Sequence, residues 1–238
     1  MGYSNFKYNI PDVNRTYVYG RNGIENYSKP HIAKGNDVIL SMVNRLYGGL
    51  INKWGAEFKI PNDIIAPLMC VESMGEVVPK KDNGVTGLMQ ISPSTVYEII
   101  AKWNVKVPVP LSDKTKAYIL NICPSYKTWG VNKLMDATIK EQIQKGLSTS
   151  NEFNIAMGVA TLRWNIEAFS TDGDTGGLQK AIIVYNAGYY GVKGKLKGKT
   201  TTEQLVNNKA FKSETRAYLL KMFGVNGFMD LYLKQLKK

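Results

Sequence analysis

Histidine and cysteine are scarce in this chain. His31 stands alone, and Cys70 and Cys123 are the only cysteines among 238 residues. Two cysteines do not make a disulfide framework, and one histidine cannot complete a zinc-binding cluster with them. A cysteine nucleophile is disfavoured for the same reason, since the sole histidine lies in a turn-rich N-terminal arm. Cys70 sits inside an apolar run and reads as a small core residue. No apolar run approaches the length that spans a bilayer. Met1–Asn5 lacks the basic start and continuous apolar core of an export signal, so no signal peptide is expected. Acidic residues are also few: 19 Asp and Glu against 31 Lys and Arg leave a formal charge of +12. That surplus favours anionic partners, such as cell-wall polyanions, an anionic outer-membrane surface or nucleic acid, although excess lysine also simply keeps a surface soluble. No basic recognition helix or aromatic–basic motif accompanies the charge, so nucleic acid is not expected as the partner. What is present is an ordinary globular composition, 44% apolar with mixed charges, long enough for a sizeable core.

The most informative stretch begins at Glu72. Glu72-Ser73-Met74-Gly75 ends an apolar run (Ile64, Ile65, Leu68, Met69, Val71), and a short polar loop leads to Gly87-Leu88-Met89-Gln90-Ile91. The apolar neighbours would partly desolvate the Glu72 carboxyl, which favours its protonated form and suits a general acid. A glutamate hydrogen-bonded into a structural network is the alternative reading of the same residue.

Along the chain, residues 1–35 are rich in Asn, Gly, Tyr and Pro without sustained period and read as an irregular arm, with Tyr8, Tyr17 and Tyr19 available to pack it. Residues 36–238 read as one mainly α domain with at most a small β-hairpin. Asn36 or Asp37 can cap a first helix running toward Trp54, which Gly48-Gly49 would weaken or end early. Pro61-Asn62-Asp63 starts the helix that presents Glu72. Helices are further expected from Pro93 toward Ile100, from Ser112 to Ile122 and near Val131 to Ile143. Phe153 to Phe169 is expected to bury one face. Leu178 to Asn186 is expected to close at Gly188. Ser213 is expected to cap a helix stopped by Gly224, with a last short helix ending in a lysine tail.

Four blocks in order, Glu72-Ser73, Gly87 to Gln90, Ala181 to Gly188 (with Tyr185-Asn186-Ala187-Gly188) and the late Tyr218, resemble the soluble lytic transglycosylase family of the lysozyme-like superfamily. The resemblance spans roughly Asn62 to Tyr218 and implies a goose-type lysozyme-like helical fold. It implies cleavage of the peptidoglycan bond between N-acetylmuramic acid and N-acetylglucosamine, with formation of an anhydromuramoyl end and no cofactor or metal. It assigns Glu72 as the catalytic acid and then base. Ser73, Met89, Gln90, Tyr185, Asn186 and Tyr218 become substrate-binding residues, Tyr218 also orienting Glu72. Residues 102–150 depart from the family pattern and read as a helical insertion flanking the cleft. Gly75 stands where the family commonly has an aromatic or small residue.

A wall-cutting enzyme without an export signal points to a bacteriophage setting, in the virion or in the host cytoplasm before release, acting at the bacterial wall. Two rivals accompany this reading. A goose-type lysozyme-like hydrolase would need Glu76 or Asp82 to activate water. A non-catalytic virion protein would bind the wall through a degenerate groove.

Overall fold

The computed structural model describes residues 18–20, 23–26, 35–77, 84–107, 109–170, 177–199 and 202–236. Most of the N-terminal arm (with His31, Tyr8 and Tyr17), the loop residues 78–83 that include Asp82, and the final two lysines lie outside the described residues. The arm is not wholly irregular. Val18–Gly20 (β1) and Gly23–Asn26 (β2) pair antiparallel, with a register shift after Val18. Val18, Tyr19 and Ile24 favour strands.

The remaining described elements are helical: α1 (Asn36–Phe58), α2 (Asn62–Ser73), α3 (Pro93–Ala101), α4 (Trp103–Lys106), α5 (Asp113–Ile122), α6 (Ala137–Thr149), α7 (Asn151–Ser170), α8 (Gly177–Ala187), α9 (Tyr189–Leu196), α10 (Thr202–Val206), α11 (Ser213–Phe223) and α12 (Phe228–Leu236). The mainly α class is therefore what the chain adopts. Segment 102–150 is built from α4, α5, a 3-10 turn at Pro124–Thr128 and α6.

Three local expectations are corrected. The Gly48-Gly49 pair does not interrupt α1, which runs unbroken for 23 residues. Glycine costs up to about 1 kcal/mol in a helix, but burial of Ile51, Trp54 and Phe58 beyond the pair overrides that cost. The helix expected near Val131 starts only at Ala137, because the Asp136 side chain accepts the Ile139 N–H at 2.8 Å and fixes the N-terminus there. And α7 does not bury just one face: every residue from Phe153 to Arg163 is buried. It is the central helix, packed against α1, α3, α6 and α8. Its one full charge pair inside, Arg163 with Glu167, lies within the same helix.

An aromatic chain ties the outer helices to this centre. Trp54 meets Phe58 and Tyr118 at ring distances of 5.9 and 5.0 Å, Phe58 meets Trp103 at 5.5 Å, and Tyr118 meets Phe153 on α7 at 6.3 Å. Such offset contacts add to area burial. Cys70 and Cys123 are both buried free thiols. The core reading of Cys70 holds, and burial pushes the Cys123 thiol up to about 12.

Two glycines should respond oppositely to alanine. At Gly158 on α7 a Cβ would sit 2.5 Å from Met89 Cβ, so Gly158→Ala should cost about 1–3 kcal/mol in denaturant unfolding. At Gly49 a Cβ meets nothing within 4 Å, so Gly49→Ala should stabilise by about 0.5–1 kcal/mol.

Candidate active site

Glu72 is the penultimate residue of α2, half-buried at the helix end. The chain leaves the helix abruptly: Met74 takes a left-handed φ of 55° and Gly75 follows at 76°. A Cβ on Gly75 would lie 2.6 Å from Val43 Cγ2 on α1. Glycine is required there both by φ and by this close approach. The turn therefore lies directly on α1, which is why an aromatic residue has no room.

Opposite Glu72 lies the Gly87–Gln90 turn, closed by an antiparallel bridge between Thr86 and Ile91. Gly87 has φ 77°, and a Cβ there would overlap the Asn154 amide at 2.1 Å. Asn154, buried at the start of α7, holds both ends of the turn. Its Oδ1 accepts the Met89 N–H at 2.7 Å, and its Nδ2 donates to Thr86 O at 2.9 Å and Leu147 O at 3.2 Å. The sequence reading expected this stretch of α7 only to pack, and an amide inside its apolar run is the signal that marks Asn154.

The carboxyl is held by α11. Tyr218 Oη donates a hydrogen bond to Glu72 Oε1. Tyr185, near the end of α8, donates from its hydroxyl to Met89 O at 2.8 Å. Burial pushes the phenols of Tyr218 and Tyr185 well above their usual range, and the neighbouring negative charge of Glu72 adds to both; the hydrogen bond to Glu72 adds further at Tyr218. Both hydroxyls therefore stay protonated donors.

The predicted site residues do not all present the same face. Gln90 is strained, with φ 44°; its Nε2 donates to Gly87 O at 2.8 Å, while its buried Oε1 has no hydrogen-bond partner. A buried acceptor left so is costly and calls for a donor. Asn186 is half-buried and its Oδ1 accepts from Thr215 Oγ1 at 3.3 Å, linking α8 to α11. Met89 is corrected: its side chain is fully buried against Gly158 in the core and does not line the cleft. Helix α7 presents a glycine there, so the thioether fills that space, and what Met89 offers the site is its carbonyl. The Ser73 hydroxyl is engaged with backbone, donating to Met69 O at 3.2 Å and accepting the Gly75 N–H at 3.2 Å. Glu76 is exposed beyond the turn, and Asp82 lies outside the described residues.

Beside Tyr185 a groove of about 430 Å³ opens between α3, α7 and α9, lined by Glu98, Lys102, Trp164, Asn165 and Tyr189 among others. It falls within the range of ligand-binding clefts, roughly 300–1,000 Å³. Among the described residues no group of three His, Cys, Asp or Glu side chains stands together to hold a metal, and no helix is long and apolar enough to cross a membrane. The arrangement offers one half-desolvated carboxyl oriented by a phenol, facing a turn with an unfilled acceptor. That is equipment for proton transfer to and from a polar ligand.

Residues 49–118 match the transglycosylase SLT domain family. The fold resembles that of the lytic transglycosylase Slt from Pseudomonas aeruginosa, solved as an inactive variant, with a TM-score of 0.51 and 18% identity over 81% of this chain. This chain spans only 24% of that protein. No curated protein sequence matches.

Tyr218→Phe removes the donor to Glu72 with little change of volume and deprives the half-buried carboxyl of that hydrogen bond, so denaturant unfolding should show a loss of about 1–3 kcal/mol. A second expectation concerns alkali. A phenol or thiol whose folded pKa is raised contributes stability that is complete below its unfolded value and lost as pH rises through the folded one. Tyr185, Tyr218, Cys70 and Cys123 all shift this way. The denaturant midpoint should therefore decline steadily from about pH 9 upward, as unfolding titrations at pH 8, 10 and 11 would register.

Proposed function

We propose, for a chain whose residues 49–118 match the transglycosylase SLT domain family and whose helical fold resembles that of a lytic transglycosylase, a peptidoglycan lytic transglycosylase that works at the bacterial cell wall. The observation that carries the reading is the pairing of a single carboxyl, Glu72, with the hydroxyl of Tyr218 at the lip of the Gly87–Gln90 turn.

An ordinary glycosidase uses two carboxylates. Here Glu72 works alone, so it must be acid and base in turn. In the first half-reaction the protonated Glu72 gives its proton to the oxygen bridging N-acetylmuramic acid to N-acetylglucosamine. The bond from that oxygen to the anomeric carbon breaks, and the N-acetylglucosamine side leaves as an alcohol. The N-acetyl oxygen of the muramic acid closes onto the anomeric carbon and takes up the positive charge, the substrate-assisted route. In the second half-reaction the muramic acid's own primary hydroxyl attacks the same carbon, the N-acetyl bond opens, and the hydroxyl proton passes to ionised Glu72. The product is an anhydromuramoyl end, and no water is consumed.

Tyr218 supports the second half. A phenol that keeps its proton donates to the carboxylate whenever Glu72 is charged, lowering the cost of that state. Tyr185 fixes the Met89 carbonyl and so the turn facing the acid. Gln90, whose Nε2 donates to Gly87 O, braces the turn from inside. Asn186, held through its Oδ1, keeps its amide N–H groups for the glycan.

Glu72→Gln should reduce release of soluble fragments from sacculi by at least about 10²–10⁴-fold, the usual contribution of a general acid–base group. Mass spectrometry of those fragments should find anhydromuramoyl ends, 18 Da lighter than reducing ends by roughly one water. Reducing ends instead would mean hydrolysis and would sink the mechanism.

A further inference from the structure

The chain's positive charge is concentrated just past the cleft. Residues 193–212 carry six lysines, Lys193, Lys195, Lys197, Lys199, Lys209 and Lys212, against one acidic residue, Glu203. This short stretch thus holds five of the twelve surplus positive charges. All but Lys199, which is half-buried, are exposed. The fold draws them together: Asn208, next to Lys209, donates from Nδ2 to Lys195 O at 3.1 Å, and Lys212 immediately precedes α11. Among the described residues none of Lys195, Lys197, Lys209 and Lys212 is in an ion pair, whereas Lys193 lies over the Tyr189 ring at 5.4 Å.

The lobe is continuous with the site. One turn into α11, Thr215 contacts Asn186, and Tyr218 on the same helix holds Glu72. On the other side, α9 runs from the groove wall at Tyr189 and Tyr190 to Lys195. Eight residues of helix cover about 12 Å, comparable to a disaccharide. The groove wall at Tyr189 and Tyr190 thus leads along α9 to the lysines.

The lobe contains lysine alone, with no arginine in residues 193–212. Lysine acts as a mobile point charge, while bidentate recognition of a single anion uses the arginine fork. Several separate lysines suit a ligand that repeats its negative charges. Building on the function proposed above, we propose that this lobe engages the free carboxylates of the stem peptides on the very strand being cut. The enzyme would thereby favour peptide-bearing glycan over bare glycan.

Binding, separated from chemistry, tests this. In a Glu72→Gln background, co-sedimentation with intact sacculi at low salt should weaken about tenfold on adding Lys195→Glu, Lys197→Glu and Lys209→Glu, and the wild-type lobe should lose its advantage in high salt. Against glycan strands stripped of stem peptides by an amidase and immobilised on beads, the two proteins should bind alike. Removing wall phosphate polymers with hydrofluoric acid should leave the difference in place. A control with the same charge change elsewhere, Lys114→Glu, Lys127→Glu and Lys140→Glu on the segment from α5 to α6, should bind as the parent does. Equal binding with and without the lobe lysines, loss only after the acid treatment, or an equal loss in the control would each overturn the proposal. Circular dichroism melts confirm that the compared proteins are folded. Because Glu72→Gln does no chemistry, a failure here leaves the transglycosylase reading untouched, and that reading stands or falls on fragment mass.

Discussion

One amide side chain sets the geometry on which the site depends. Asn154 spans the mouth of the Gly87–Gln90 turn, accepting from one strand end and donating to the other. Because Asn154 lies on the buried stretch of the central helix, the turn inherits that helix's position with little freedom of its own. Each hydrogen bond of this kind contributes about 1 kcal/mol net, but leaving its buried partner unsatisfied costs more. The requirement for glycine at position 87 follows: the amide occupies the space a Cβ would need. From the clamped turn, the Met89 carbonyl fixes Tyr185, so the order at α7 extends to α8 and the groove wall.

A second fixed distance comes from α11. Tyr218 reaches the carboxyl from a helix far along the chain, and α11 is also tied to α8 through Thr215 and Asn186. Three helices that are remote in sequence therefore hold one carboxyl and the surface facing it. Hydrogen bonds in such a partly dry place are stronger than in water, and leaving any member unpaired is correspondingly expensive. This explains how a lone glutamate can be kept in one orientation while its charge changes.

Most of the fold was legible because helical periodicity and caps are local. Ser112, Gly188 and the Pro93 start were all found near their structural places. What failed was tertiary. The glycine pair in α1 is overridden by burial that the local sequence does not announce. The Asp136 cap outweighed the apolar residues before it. The all-round burial of α7 was hidden because its polar residues, Asn154, Arg163 and Glu167, suggested a wet face while they are in fact satisfied inside. Glu72 and Tyr218 could be paired from a resemblance, since ordered blocks carry long-range information. Met89 could not be placed, because whether a methionine points into a cleft or a core depends on the facing residue, here Gly158. Ser73 likewise spends its hydroxyl on the backbone at a helix end whose left-handed exit no composition reveals.

That exit fixes where the acid stands. With Gly75 pressed on Val43 and Met42, the chain just beyond Glu72 is pinned to α1. A side chain at this position would collide with α1 and push the turn away from it. The acid's backbone is therefore placed by α1 and its carboxyl is turned by the Tyr218 phenol of α11. Neither contact alone would fix the group: one comes from the helix just before α2 in sequence, the other from a helix far along the chain.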